Sequence, residues 1–138
     1  MLGTYIELVT GSRTVDHFAP KSKHPDLAYE WSNYRLVCGT MNARKNHFED
    51  VLDPFEVENG WFQLEFSFFQ VVSKSDLESA ERAEVQATID RLRLNDNDCR
   101  QMRSRYYDDF IGGDISFDYL ARCSPFVAME MKRQRLVL

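Results

Sequence analysis

The stretch TVDHFAPKSKHPDLAYEWSNYRLVCGTMNARK, residues 14–45, decides how the chain is read. It sets an acid beside an imidazole, Asp16-His17, and puts Asn33 sixteen residues after the histidine. Asn42 follows nine further on, with two cations, Arg44 and Lys45, directly behind it. A hydrophobic core has no use for polar groups at such fixed places. Around Asp16-His17, residues 14–18 form a β-prone run stopped by Pro20. Residues 5–9 form an earlier one, closed by the turn signal Thr10-Gly11-Ser12, so the two predict a small hairpin. His24-Pro25-Asp26 predicts a short helical turn capped by Asp26. In residues 34–47 the apolar positions Leu36, Val37, Met41 and Phe48 fall near a 3.6-residue period, which predicts a helix. The resulting expectation is a compact ββα unit over residues 1–55.

The chemistry of this set is specific. Phosphodiester hydrolysis needs an activated water and neutralisation of charge on the leaving oxygen. One histidine can do the first near neutral pH. One hard divalent ion on few protein oxygens can do the second. Asp16, His17 and Asn42 supply a carboxylate, an imidazole and an amide oxygen. Successive strand residues point to opposite sides, so Asp16 and His17 can share a phosphate only at a strand end or distortion.

The segments VDHFAPKS and EWSNYRLVCGTMNARK resemble the HNH family of ββα-metal endonucleases, through D-H-x-x-P-x-S and N-x₈-N-x-x-K in order. The resemblance covers about a quarter of the chain. It implies a DNA endonuclease with His17 as general base and Asp16 and Asn42 holding Mg²⁺ or Mn²⁺. It gives Asn33 the role of bracing the loop and steadying the histidine, and puts Lys45 near metal and substrate. Lys21, Arg44 and His47 join Lys45 as expected substrate contacts. Many family members bind a structural Zn²⁺ through two C-x-x-C pairs. Here Cys38 stands where the helix pair would begin, but Met41 holds the partner position, so no structural Zn²⁺ is expected. VLDPF, the aromatic segment and TIDRLRLND are similar to the tails of HNH proteins found beside larger ATPases in bacterial anti-phage systems. That likeness implies a nuclease subunit with a larger partner, an ATPase, or a homo-oligomer. The alternative expectation is an HNH-shaped scaffold, catalytically weakened, that binds a protein partner or nucleic acid.

Beyond residue 55 the chain predicts a β-meander and then helices, an α+β fold overall. Three runs, residues 55–58, 61–66 and 68–72, surround the turn dipeptide Asn59-Gly60. A helix capped by Asp76 carries Leu77, Val85, Ile89 and Leu92, with Ala80 and Ala83 close to that stripe. A second, capped by Asn95 or Asp96, carries Cys99, Met102, Tyr106 and Phe110 and ends at Gly112-Gly113. A short helix around Phe117 and Leu120 precedes a last one with Pro125 in first position. Trp31, Trp61 and the phenylalanines read as core rather than base-stacking platforms, and residues 132–135 as a solvated helix end.

With 138 residues and 43% hydrophobic composition, the chain is large enough to fold without staples. No apolar run is long enough to span a membrane, and the start lacks a signal-peptide pattern. Three widely spaced cysteines argue against a disulfide framework and for a reducing, cytoplasmic setting. The net charge of −5 is uneven. Residues 1–48 carry six Lys/Arg against four Asp/Glu, and residues 49–138 carry eleven against eighteen. A mildly basic site half suits a phosphate ligand, though it is weaker than the stripe of a stand-alone DNA binder.

Overall fold

The computed structural model describes residues 12–137. The expected strand at residues 5–9 lies outside them. Strand β1 (Arg13–His17) pairs antiparallel with β2 (Tyr34–Cys38), and helix α1 (Gly39–Lys45) follows without a linker. Residues 34–38 are therefore strand, not the first turns of a helix. Five residues are too few for periodicity to separate helix from strand. The ladder to β1, which sets Thr14 opposite Val37 and Asp16 opposite Arg35, decides for strand. The loop between the strands holds two single-turn 3-10 helices, Pro25–Leu27 and Trp31–Asn33. His24, rather than Asp26, takes the N-cap position of the first.

The expected meander is a single hairpin, β3 (Phe62–Glu65) with β4 (Gln70–Ser73), and residues 54–56 form a turn. Phe68 and Phe69 lie in the hairpin loop, where Phe69 takes φ 53°. Then come α2 (Ser79–Leu92), α3 (Asn97–Ile111), α4 (Phe117–Cys123) and α5 (Pro125–Arg133). Glu78, not Asp76, caps α2, and its N–H is closed by the Glu81 carboxylate at 3.2 Å. Ala80 and Ala83 are exposed rather than packed beside the stripe. Asp96 caps α3 and Gly113, at φ 83°, follows its end.

A two-stranded sheet leaves both outer edges unpaired, which buried backbone does not tolerate. Here side chains close them. Asn95 Oδ1 accepts from Val71 N–H at 2.7 Å while its Nδ2 donates to Val71 O at 2.9 Å. On the other edge, Glu130 Oε2 accepts from Leu64 N–H at 2.8 Å, and Gln134 Nε2 donates to Leu64 O at 2.6 Å. Arg133 pairs with Glu130 at 2.7 Å, so the stretch at residues 132–135 is a lock on β3 rather than only a solvated end.

The hydrophobic core lies in this second half. It joins Phe62, Leu64 and Val71 to Val85, Ile89, Tyr106, Leu120, Val127 and Met131. Among the described residues, the first half buries mostly polar groups instead: Asp16, Asn33, Arg35, Lys45 and Asp53. The halves interlock where Thr88 Oγ1 accepts from Leu52 N–H at 2.8 Å and Arg91 pairs with Asp50 at 2.7 Å.

Candidate functional site

Helix α1 lies on one face of the β1–β2 hairpin, and two spacings match there. Thr14 and Asp16 share a strand face at i and i+2, while Asn42 and Lys45 share a helix face at i and i+3. Asn42 Nδ2 donates to Thr14 Oγ1 at 3.1 Å, and Lys45 Nζ meets Asp16 Oδ2 at 3.0 Å. The same ammonium donates to the His17 carbonyl at 3.1 Å and lies 5.6 Å from the centre of the Phe18 ring. Asp16 and Lys45 are only 7% and 6% exposed. The lysine expected to face substrate is thus a buried counter-ion of the expected metal ligand, because the helix period sets it over Asp16.

His17 ends β1 and, by alternation, turns away from Asp16. Its Nε2 lies 3.1 Å from the Ala28 carbonyl oxygen. A carbonyl only accepts, so Nε2 donates, and in the neutral ring this leaves the lone pair a general base needs on Nδ1. Tyr34 OH donates to the same carbonyl at 2.8 Å, and its ring meets the imidazole edge-on at 5.1 Å. Asp16 and His17 side chains are not brought together. Lys45 links the two residues, its ammonium shared by the Asp16 carboxylate and the His17 backbone oxygen.

Asn33 is buried and clips the loop shut. Its Oδ1 accepts from Ala19 N–H at 2.7 Å, and its Nδ2 donates to Ala19 O at 3.0 Å and Leu27 O at 3.2 Å. Its own carbonyl accepts from Phe18 N–H at 2.8 Å. Opposite Asp16, Arg35 forks onto Asp53 through Nε at 2.8 Å and through Nη2. Burial on its own pushes the Asp53 carboxyl up. Hydrogen bonds from Arg35 and the Phe55 N–H, with the Arg35 charge, outweigh that and hold it below the usual range.

The remaining expected substrate contacts separate. Arg44 reaches away from the hairpin to Asp98 at 2.9 Å and to Leu92 O at 3.2 Å, tying α1 to the end of α2. It is an anchor, since the carbonyls at a helix C-terminus attract a cation. His47 is exposed and stacks on Phe48 at 4.6 Å. Lys21 is exposed on the loop after Pro20. Cys38 is half-buried beside the start of α1 rather than buried.

Two open depressions flank α1. One, about 530 Å³, is lined by Thr14, Gly39, Asn42, Ala43 and Asn46. The other, about 620 Å³, gathers Arg44, Arg91 and Arg93. Each of those arginines already has a carboxylate partner, in Asp98, Asp50 and Asp96, so that depression offers no unbalanced positive charge. Neither contains Asp16 or His17, and the chemistry argues for the strand end over both.

Among the described residues, no three His, Cys, Asp or Glu side chains gather as a metal-binding group. A divalent ion here would rest on one carboxylate with amide and carbonyl oxygens, the hard donors that Mg²⁺ takes. The Lys45 ammonium, cradled by Asp16 Oδ2 and His17 O, is a stand-in cation among such oxygens. Asp16 Oδ2 and His17 O are donors of the kind a divalent ion takes, and the ammonium now occupies them.

Sequence reasoning missed Thr14, Tyr34, Ala28 and the Arg35–Asp53 fork. Thr14 had a signal, lying two residues before Asp16 as Asn42 lies three before Lys45. Ala28 acts through its backbone and had none. No protein-family model matches the chain, and no curated protein matches it in sequence.

Proposed function

We propose that the chain is a metal-dependent endonuclease of the HNH type, hydrolysing phosphodiester bonds in DNA. The observation that carries this reading is the oxygen cradle at the end of β1, where Asp16 Oδ2 and the His17 carbonyl already hold a cation and the His17 ring leaves the same strand end on its other side. Two residues would hold the ion: Asp16 through its carboxylate and Asn42 through its amide oxygen, the amide being oriented by Thr14. A divalent ion, when bound, supplies neutralisation of the phosphate and of the leaving oxygen. His17 Nδ1 takes the proton of the attacking water, while Ala28 O fixes the tautomer through Nε2 and the Tyr34 ring packs edge-on against the imidazole. Asn33 keeps the intervening loop closed behind it. The resemblance further supports membership of an anti-phage complex with a larger partner, an ATPase.

One observation favours the second reading, a weakened scaffold that binds a partner. Lys45 saturates Asp16 in a buried pair, and Asp16 and His17 face opposite ways.

Plasmid cleavage with Mg²⁺ or Mn²⁺ separates the two readings. On the nuclease reading, His17→Ala lowers the rate by roughly 10²- to 10⁴-fold while the circular dichroism spectrum is unchanged. Equal cleavage by wild type and variant removes His17 from the mechanism, and no cleavage by wild type under any metal leaves the scaffold reading.

A further inference from the structure

The sequence reading sends Trp31 into the core, yet its side chain is 86% exposed, and Tyr29 two residues earlier is 90% exposed. Leaving two such rings in water forgoes the largest burial gain that side chains offer. The loop does not need them for its own closure, because Asn33 already clips it. Trp31 is also joined to the candidate site. Its ring meets Tyr34 edge-on at 5.6 Å, and Tyr34 meets His17 at 5.1 Å.

The contacts continue along the outer face of the hairpin, where Val15 and Leu36 are cross-strand partners and 57% and 73% exposed. By alternation this face carries Arg13, Val15 and His17 from β1 and Tyr34, Leu36 and Cys38 from β2. Among the described residues, none of these six is a carboxylate.

We propose that Trp31, assisted by Tyr29, is a stacking platform for an unpaired nucleobase, so that the strand presented to His17 is single-stranded or locally unpaired. The inference rests on the nuclease reading for its class of ligand. A phosphate attacked by the water at Nδ1 brings its strand along this face. The ring contacts from His17 to Tyr34 and from Tyr34 to Trp31, 5.1 Å and 5.6 Å, keep Trp31 within about three stacked nucleotides of His17 at roughly 3.4 Å each. Bases inside a duplex have both ring faces covered by their neighbours. An external indole therefore gains from stacking only on a base that has left the stack. A protein partner could also use exposed Trp and Tyr. Nucleic acid is favoured because the aromatic contacts begin at the candidate base.

Fluorescence anisotropy in EDTA tests this on the full chain, with a labelled oligothymidine and a labelled hairpin duplex as probes. Wild type binds the single strand more tightly than the duplex. Trp31→Ala weakens single-strand binding by roughly 5- to 150-fold, leaves duplex binding unchanged, and Trp31→Phe restores most of the loss. Equal losses on both probes, no loss, or no binding of either probe overturns the proposal. So does a Trp31→Ala variant that binds DNA normally but dissociates an oligomer in sedimentation, which makes the face a protein interface. Cleavage plays no part in this readout. Intact plasmid alongside the strand preference overturns the nuclease reading alone, and cleavage without the preference overturns this proposal alone.

Discussion

At the scale of single residues, the decisive pair is Asp16 and Lys45. Two opposite charges taken out of water recover their desolvation cost only through good geometry. Here the ammonium has a carboxylate, a carbonyl and a ring face. Removing one partner strands the other, which typically costs about 3–5 kcal/mol. Lys45→Met should therefore lower the melting temperature in EDTA. If Asp16 is a metal ligand, Mn²⁺ should recover much of that loss and bind the variant more tightly than wild type, because the competing ammonium is gone. Calorimetric titration and melts with and without Mn²⁺ read both effects. A melting temperature that Mn²⁺ leaves where EDTA put it would take Asp16 out of the metal site.

At the scale of elements, the β3–β4 hairpin shows how a small sheet survives inside a helical half. Asn95 and the Glu130/Gln134 pair act as short pieces of absent third strands, each offering one donor and one acceptor to the exposed edge. Arg103 supports the same hairpin from α3, donating to Phe69 O at 2.9 Å and Leu94 O at 2.7 Å. Burial pulls its pKa down to about 10, so it remains charged at neutral pH. Asn95→Ala leaves both backbone groups of the buried Val71 without their partner. We expect a loss of about 1–3 kcal/mol, seen as a lower urea midpoint with an unchanged slope. A midpoint within error of wild type would mean that water replaces the amide. Among the described residues, no helix is long and apolar enough to cross a membrane.

At the scale of the molecule, the described residues divide unevenly into a half with an apolar core and a half whose buried groups are mostly polar. The polar half gives the protein an acid-sensitive region. Asp53 has its folded-state pKa depressed below the unfolded value, so its contribution is fully present above about pH 4 and is lost as pH falls through the folded pKa. Asp53→Asn should destabilise the protein at neutral pH and flatten the fall of stability below about pH 4. Urea titrations at a series of pH values give both curves. If they run parallel into the acid range, the Arg35–Asp53 fork does not set the pH dependence.

The sequence alone determined the helical half closely, because amphipathic stripes such as Val85, Ile89 and Leu92 repeat over enough turns to fix an element. It also singled out Asp16, His17, Asn33 and Asn42, since polar groups at fixed spacing stand out from a core pattern. It could not determine that residues 34–38 are strand, that Trp31 stays in water, or that Arg44 anchors α2. Each of those depends on a partner far along the chain: the ladder to β1, the Asn33 clip that closes the loop without Trp31, and the carbonyls at the end of α2. Nor could spacing reveal that Lys45 would neutralise Asp16. That follows from the match between a helix face and a strand face, which exists only once the two are packed together.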